Sequence, residues 1–208
     1  MDDLADEATH PRREETCPSP RTSASGSVTL ITGCMFSGKT TELLRRFEAF
    51  ERGAVRAFKH VIDERYAAEA IVSHGGLAWP AVRIASAGEI LAHVDPVTRV
   101  AAVDEAHFFD RGLVEVTRKL AIRGLDVIIT SLNVGSWGQP FAVTEQLRSV
   151  SDEHVSLKAI CAACGSPAER TQRLTPIVDG GLVGGPESYE PRCDNCWRPP
   201  PEPVPTES

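Results

Sequence analysis

The stretch Gly33-Cys34-Met35-Phe36-Ser37-Gly38-Lys39-Thr40 decides the fold, because it matches the phosphate-binding pattern G-x-x-x-x-G-K-[ST] at every fixed position. The apolar run Val28–Ile31 precedes it, and Thr41–Phe50 after it has apolar residues at helical spacing. This is the strand–loop–helix order that the pattern requires. Glycines in such a loop turn backbone amides toward a phosphate, and the following helix directs its positive end at the same anion.

The side chains of this loop have distinct expected roles in holding a nucleotide. Lys39 would place its charge on the outer phosphates, and the Thr40 hydroxyl would ligate magnesium. Cys34 is interpreted as a small loop residue rather than as a nucleophile or a zinc ligand. The motif therefore predicts ATP, or another nucleoside triphosphate, together with Mg²⁺; the alternative is a chance glycine turn. It does not identify the group that receives the phosphate.

The composition excludes several other classes of protein. The 208 residues are 41% hydrophobic and 25% charged, as in ordinary globular proteins, and the formal net charge is −7. An acidic balance argues against a nucleic-acid partner, whose binding proteins are usually basic. No apolar run approaches the roughly 20 residues needed to cross a bilayer, and the start of the chain lacks the apolar segment of a secretory signal. We expect a cytoplasmic protein with no membrane partner.

Composition also divides the chain into four parts. Residues 1–26 are acidic and polar, with too few large apolar residues to form a core, and are predicted to be disordered. Residues 27–155 are predicted to form the nucleotide-binding domain, and residues 156–198 a small zinc-binding lasso domain. Residues 199–208 form a proline-rich tail that is also predicted to be disordered.

Apolar runs alternate with helical segments along residues 27–155. The predicted strands are Ser27–Thr32, Val55–Val61, Ala81–Ile84, Arg99–Val103 and Leu125–Thr130, and the predicted helices are Lys39–Arg52 (with Gly53 as a left-handed cap), Gly88–Val94 and Leu113–Ile122. This alternation predicts an α/β fold with an open, mostly parallel sheet and helices on both faces. Ligands of such sheets bind beyond the carboxyl ends of the strands, where Gly33, Asp63, Asp104 and Asn133 should gather.

Acidic residues follow two of the predicted strands. Asp104 ends the apolar run 100–103 and is expected to join the magnesium shell with Thr40. The next residue, Glu105, could orient or deprotonate a hydroxyl or a water, unless it is an ordinary acid on a solvated loop. Asp63 could also face the metal and Arg65 the phosphates. On spacing alone, however, Asp63 and Arg65 could equally be a surface pair.

Four cysteines near the C-terminus form two C-x-x-C pairs, Cys161/Cys164 and Cys193/Cys196. Two ligands from each of two tight turns suit a tetrahedral Zn²⁺ site, whereas disulfides or free thiols are the alternatives. Four thiolates leave no open position for a substrate. The zinc is therefore expected to be structural and to hold together a loop whose own core is too small to fold alone.

Three motifs together resemble the zinc-containing (type II) thymidine kinase family. They are the loop sequence Met-Phe-Ser-Gly-Lys-Thr at 35–40, Asp104-Glu105-Ala106-His107-Phe108-Phe109, and the C-terminal four-cysteine segment. The resemblance covers about Ser27–Trp197. Supporting pieces are Asp63-Glu64-Arg65-Tyr66, Ser73-His74, Gln139-Pro140-Phe141, Leu157-Lys158-Ala159-Ile160-Cys161 and Thr171-Gln172-Arg173.

The resemblance implies transfer of the γ-phosphate of ATP to the 5′-hydroxyl of thymidine, a salvage step that supplies DNA precursors. Residues 33–40, Asp63, Arg65 and Asp104 would hold ATP and Mg²⁺, and Glu105 would be the general base. Met35, Phe141 and Tyr189 would line the base pocket, and the lasso Thr175–Tyr189 would close over it. The resemblance further implies a homotetramer and inhibition by the end-product triphosphate.

The chain departs from this family where the base should bind. The family's usual Gln within the Asp-Glu-x-Gln-Phe-Phe motif is His107, the Asp of its Leu-Asp-Gly motif is Asn133, and the following pocket Phe is Ser136, with Trp137 one residue on. The family's basic residue before Pro140 is Gln139. Two alternatives to a thymidine kinase therefore stay open: a kinase of the same fold for another nucleoside, and a nucleotide-sensing protein that lacks productive nucleoside binding.

Overall fold

Seven strands form one sheet in the order β3-β4-β2-β5-β6-β1-β7. The computed structural model describes residues 25–63, 69–73, 75–175 and 184–200. The strands of the sheet are β1 Val28–Gly33, β2 Val55–His60, β3 Ala70–Val72, β4 Ala78–Ile84, β5 Val100–Asp104, β6 Asp126–Leu132 and β7 Glu153–Leu157. All neighbours pair in parallel except β3 and β4. The predicted α/β class with a mostly parallel sheet is confirmed.

Helices cover both faces of this sheet. They are α1 Lys39–Phe47, α2 Ile90–His93, α3 Gly112–Ile122 and α4 Ala142–Arg148, with short 3₁₀ turns at Arg52–Ala54, Ala87–Glu89 and Ala106–Phe108. Successive residues of β1 are buried on opposite faces of the sheet. Leu30 joins the core that contains Leu113 of α3, while Ile31 joins the core that contains Leu43 of α1. All six residues of β1 are buried, which explains why the strand is mostly apolar. Its two polar residues, Thr29 and Thr32, hydrogen-bond to side chains of β7.

Helix α1 ends at Phe47, so the prediction that it continues to Arg52 was wrong. The amide of Phe50 donates to the Phe47 carbonyl at 3.0 Å, which is a tight turn rather than another helical bond. Phe47 is buried, with its ring 5.0 Å from that of Trp79, and the chain turns there toward β2. Gly53 lies inside the 3₁₀ turn and lacks the left-handed φ that the predicted cap requires.

The strand predicted to begin at Ala81 begins at Ala78. Its first residues pair in antiparallel fashion with β3, so that Ala70 lies opposite Pro80 and Val72 opposite Ala78. Pro80 can lie in this strand because it is close to the sheet's edge. The sequence pattern did not predict this hairpin, because β3 has only three residues and β4 contains a proline.

A four-cysteine module (residues 158–198) follows β7. It contains two small antiparallel sheets, β8 Ala159–Ile160 with β9 Pro167–Ala168, and β10 Arg170–Arg173 with β11 Tyr189–Arg192. None of the helices in the described ranges has the length and apolar character that crossing a bilayer demands. The predictions for Arg65, for both terminal tails up to residues 24 and from 201, and for lasso residues 176–183 lie outside the described residues.

Candidate active site

The glycine-rich loop (Gly33–Thr40) connects β1 to α1 with a backbone that only certain residues tolerate. Gly38 has φ 87°, in the left-handed region that favours glycine. A Cβ on Gly33 would lie 2.4 Å from Ser37 Oγ and 2.6 Å from the Leu157 carbonyl oxygen, so no larger residue fits. Phe36 also adopts a left-handed φ of 64°, which is uncommon for an aromatic residue.

The Lys39 side chain lies within the curve of this loop. Its Nζ donates to the Cys34 carbonyl oxygen at 2.9 Å, and the residue is buried. A cation held at the centre of a loop at a helix N-terminus is the arrangement that binds phosphate. The carbonyl contact keeps the ammonium directed inward.

A cavity of about 270 Å³, the loop cavity, brings most of the predicted nucleotide and metal residues together. Its lining includes Met35, Phe36, Gly38, Lys39, Thr40, Asp63, Asp104 and Glu105. Asn133 was expected at the same edge, but its Nδ2 donates at 3.1 Å to the Glu169 carbonyl of the four-cysteine module. Asp104 and Glu105 are both buried, at 6% and 8% exposed, so Glu105 is not an acid on a solvated loop.

Thr130 on β6 hydrogen-bonds to both acidic residues. The sequence analysis did not predict this role. Its Oγ1 donates to Asp104 Oδ1 at 2.5 Å and accepts the Glu105 N–H at 3.0 Å. The register explains the contact, because Val103 pairs with Ile129 and the next residues lie side by side. The position of Thr130 at the carboxyl end of a predicted strand was the available signal.

Lys59 is a second residue that sequence reasoning missed, and it lines the loop cavity. It is buried on β2 opposite Asp104, and its Nζ lies 3.8 Å from Asp63 Oδ2. Two lysines and two aspartates thus share this cavity, which lowers the cost of burying each charge. A lysine inside an otherwise apolar strand was the signal that could have found it.

A second cavity of about 330 Å³, the aromatic cavity, adjoins the first and shares Met35 with it. It brings together the predicted residues Met35, Phe141 and Tyr189, and it is also lined by His107, Ser136, Trp137 and Thr171. Tyr189 is buried, and its hydroxyl accepts a hydrogen bond from Arg173 Nη1. Aromatic walls with few polar groups suit a flat heterocyclic ring.

The four predicted cysteine ligands converge in the four-cysteine module. The Sγ atoms of Cys161, Cys164, Cys193 and Cys196 all lie within 4.8 Å of one another. Zn–S bonds of about 2.3 Å place tetrahedral sulfurs roughly 3.8 Å apart, so small shifts suffice to hold the ion. Burial opposes ionisation of the Cys161 thiol, but backbone N–H groups around it, including that of Cys193, lower its pKa to about 6. The neighbouring thiols, that of Cys193 first, raise the pKa of Cys196 to about 12, so without a metal the thiolate is favoured at Cys161 but not at Cys196.

Cys34 joins the glycine-rich loop to this module. It is fully buried with Ala159, Cys161 and Ala168, and its Sγ donates to the Ala168 carbonyl at 3.4 Å. Burial raises the pKa of the Cys34 thiol, which keeps it protonated at neutral pH. The adjacent Met35 N–H donates to Thr171 Oγ1 at 3.1 Å. The loop therefore rests directly on the four-cysteine module.

These features define the class: an α/β protein with two adjoining cavities at the carboxyl edge of a mostly parallel sheet. A model of the thymidine kinase family matches residues 26–197, and the chain belongs to this family. It is therefore an enzyme, a kinase that phosphorylates thymidine with ATP. The four-cysteine cluster fits the zinc-containing type of the family.

Proposed function

We propose that Glu105 is the general base that takes the proton from the 5′-hydroxyl of thymidine as this oxygen attacks the γ-phosphate of ATP. The observation that carries the proposal is the placement of Glu105. It lines the loop cavity with Lys39 and Thr40, and its neighbour His107 lines the aromatic cavity. A carboxylate at this junction reaches a hydroxyl presented from one side to a phosphate held on the other.

The residues of the glycine-rich loop and three charged residues hold the donor. The amides of residues 33–38 and the ammonium of Lys39 bind the phosphates, and Arg65 adds a further charge to them. Thr40, Asp63 and Asp104 would hold Mg²⁺, and their oxygens are the ligands this ion prefers. When bound, the ion neutralises charge that develops on the transferring phosphoryl group.

The aromatic cavity receives the base of the nucleoside. Phe141 and Tyr189 supply aromatic surface, and Met35 separates the base from the donor. Zn²⁺ on the four cysteines is structural, because all four positions are taken by protein ligands. We assign residues 27–155 to the nucleotide-binding domain and residues 156–198 to the zinc-binding lasso domain. Both domains contribute residues that bind the base. We also propose a homotetramer that serves deoxynucleoside salvage for DNA synthesis and is inhibited by the end-product triphosphate.

Substitution of Glu105 tests the assignment of the base. Glu105→Gln keeps the size of the side chain and the backbone N–H bond to Thr130, but it cannot accept the proton. We expect kcat to fall by about 10²- to 10⁴-fold with ATP affinity nearly unchanged. Glu115→Gln, on the exposed side of α3, is the matched control and should retain activity. Wild-type turnover in Glu105→Gln would remove Glu105 from the mechanism.

Selectivity for a nucleoside other than thymidine is the second candidate function. Ser136 is small and buried at the wall of the aromatic cavity. The family usually has a phenylalanine at this position. Loss of an aromatic partner typically costs about 1 kcal/mol unless Trp137 replaces it. A panel of thymidine, deoxyuridine, deoxycytidine and purine nucleosides, each with ATP and Mg²⁺, compares the kcat/KM values. We expect thymidine to rank first; another best substrate would support the second candidate.

A further inference from the structure

His107 lines the aromatic cavity and lies beside Glu105, which lines the loop cavity. Its Nδ1 lies 3.4 Å from Glu105 Oε2, and both side chains are at most 10% exposed. The ring also lines the aromatic cavity, with its centroid 5.0 Å from that of Phe141 and 4.3 Å from that of Phe108. One side chain therefore contacts both the candidate base and the surface that receives the nucleoside.

The hydrogen bond at Nδ1 defines which nitrogen carries the proton. The Leu132 N–H, at the end of β6, points to His107 Nδ1 at 3.4 Å. A nitrogen that accepts this bond carries no proton, so the neutral ring that fits is protonated at Nε2. Nδ1 accepts the Leu132 N–H through its single lone pair and also lies 3.4 Å from Glu105 Oε2, so a protonated Glu105 would share this lone pair as a second donor. The lone pair cannot hydrogen-bond a carboxylate, but it can accept from a protonated carboxyl.

We infer that His107 is a positioning residue whose Nδ1 accepts a hydrogen bond from Glu105 once Glu105 has taken the hydroxyl proton. This inference rests on the proposed role of Glu105. The oxygen of the acceptor bonds to the γ-phosphorus as the bond from that phosphorus to the bridging oxygen breaks and ADP leaves. The hydroxyl proton moves to Glu105 and is then directed at Nδ1. The contact stabilises the protonated carboxyl, which is the form that accumulates as the reaction proceeds.

Protonation of the ring before turnover has the opposite effect. A charged ring carries a proton on Nδ1, donates it to Glu105 Oε2 and holds the carboxylate in an ion pair that weakens it as a base. Among the described residues, the Leu132 amide and the rings of Phe108 and Phe141 contact the ring and carry no charge, whereas Glu105 ionises. Across the cavity, the Tyr189 hydroxyl is engaged with Arg173.

Two substitutions separate this role from simple packing. His107→Leu fills similar space without an acceptor, and we expect kcat at pH 8 to fall about tenfold with the KM for ATP unchanged. His107→Gln retains a carbonyl acceptor and should restore kcat to within about threefold of the wild type. The glutamine does not titrate. Its kcat should therefore lack the acid-side loss that we expect of the wild type in the range where histidines titrate, about pH 5 to 8.

The same assays can overturn the inference. His93→Gln, at the end of α2 and outside both cavities, controls for loss of a histidine. A wild-type kcat in His107→Leu, or a His107→Gln pH profile that matches the wild type, contradicts the role of His107. If Glu105→Gln also retains turnover, the proposed function fails as well. If only Glu105→Gln is inactive, the failure is confined to His107. Circular dichroism and zinc content establish that each variant is folded.

Discussion

At the scale of single residues, backbone strain coincides with the candidate site. Phe36 and Glu105 are the two non-glycine residues with a left-handed φ in the part of the chain that the structure describes. Each such conformation costs on the order of 1–3 kcal/mol and persists only when the surroundings impose it. One lies in the glycine-rich loop and the other is the candidate base. These two backbone conformations direct the loop amides and the Glu105 carboxylate toward one cavity.

Thr130 gives the first test at this scale. In Thr130→Val the Asp104 carboxylate and the Glu105 N–H both lose a buried partner, so both acids become less well positioned. We expect kcat to fall roughly tenfold or more and the Mg²⁺ requirement to rise, because a displaced ligand weakens both catalysis and metal binding. Steady-state kinetics across a Mg²⁺ titration measures both effects.

Two controls accompany this substitution. Thr130→Ser keeps the hydroxyl and should retain most activity. Thr117→Val removes a buried hydroxyl that has no hydrogen-bond partner among the described residues, so it should leave activity unchanged and stability equal or higher. Thr130→Val with wild-type kcat and an unchanged Mg²⁺ requirement would refute the role of Thr130.

At the scale of elements, the four-cysteine module packs directly against the glycine-rich loop. Cys34 packs against Cys161 and Ala168, and the amide of Met35 is held by Thr171 of β10. The module also contributes Tyr189 of β11 to the aromatic cavity. Both ligand sites therefore depend on the fold of a segment whose own apolar core is small.

Removal of the metal should consequently weaken nucleotide binding at a distance. Cys161→Ser, or chelation of the wild type, is expected to lower the Tm and to weaken ATP binding by about tenfold, since the loop loses its support. Calorimetric titration with ATP, before and after Zn²⁺ is restored to the chelated protein, measures this coupling. Cys17→Ser, which leaves the four ligands intact, is the control. An unchanged ATP affinity in zinc-free protein would contradict it.

The same elements explain what the sequence could and could not predict. The parallel sheet and the glycine-rich loop follow from local patterns, because an unbroken apolar run and a fixed glycine spacing each have few structural solutions. Helix α1 ends at Phe47, whose ring contacts that of Trp79, a residue distant in sequence that no local pattern relates to the helix end. Thr130 acquires its role from the β5–β6 register and belongs to no local motif. His107 occupies a position of the Asp104–Phe109 motif, but its contacts with the aromatic cavity and with Glu105 appear only in the folded chain.

At the scale of the whole molecule, ion pairs join distant parts of an acidic chain. On α1, Glu42 accepts hydrogen bonds from Arg45 and Arg46, and Arg46 also binds Glu153 of β7 through both terminal nitrogens. The bond from Arg45 contributes most to lowering the pKa of Glu42 to about 2, with Arg46 adding to it against burial. This network connects the helix after the glycine-rich loop to the strand before the four-cysteine module.

The network predicts a defined dependence of stability on pH. A carboxyl whose pKa is lowered on folding contributes stability above its unfolded value of about 4.3, and loses it as the pH falls toward the folded value. Because Glu42 is partly exposed, we expect Glu42→Gln to lower the free energy of unfolding by only about 0.5 kcal/mol at pH 7. The difference from the wild type should shrink as the pH falls from 5 to 3.

Glu48→Gln, at the C-cap of α1, is the control, because it makes the same change in net charge while retaining the Glu42 pairs. Urea unfolding of the wild type and the two variants at each pH measures the difference in the free energy of unfolding. A Glu42→Gln deficit that stays constant down to pH 3, or that Glu48→Gln reproduces, would show that net charge and not the ion-pair network sets the acid sensitivity of the molecule.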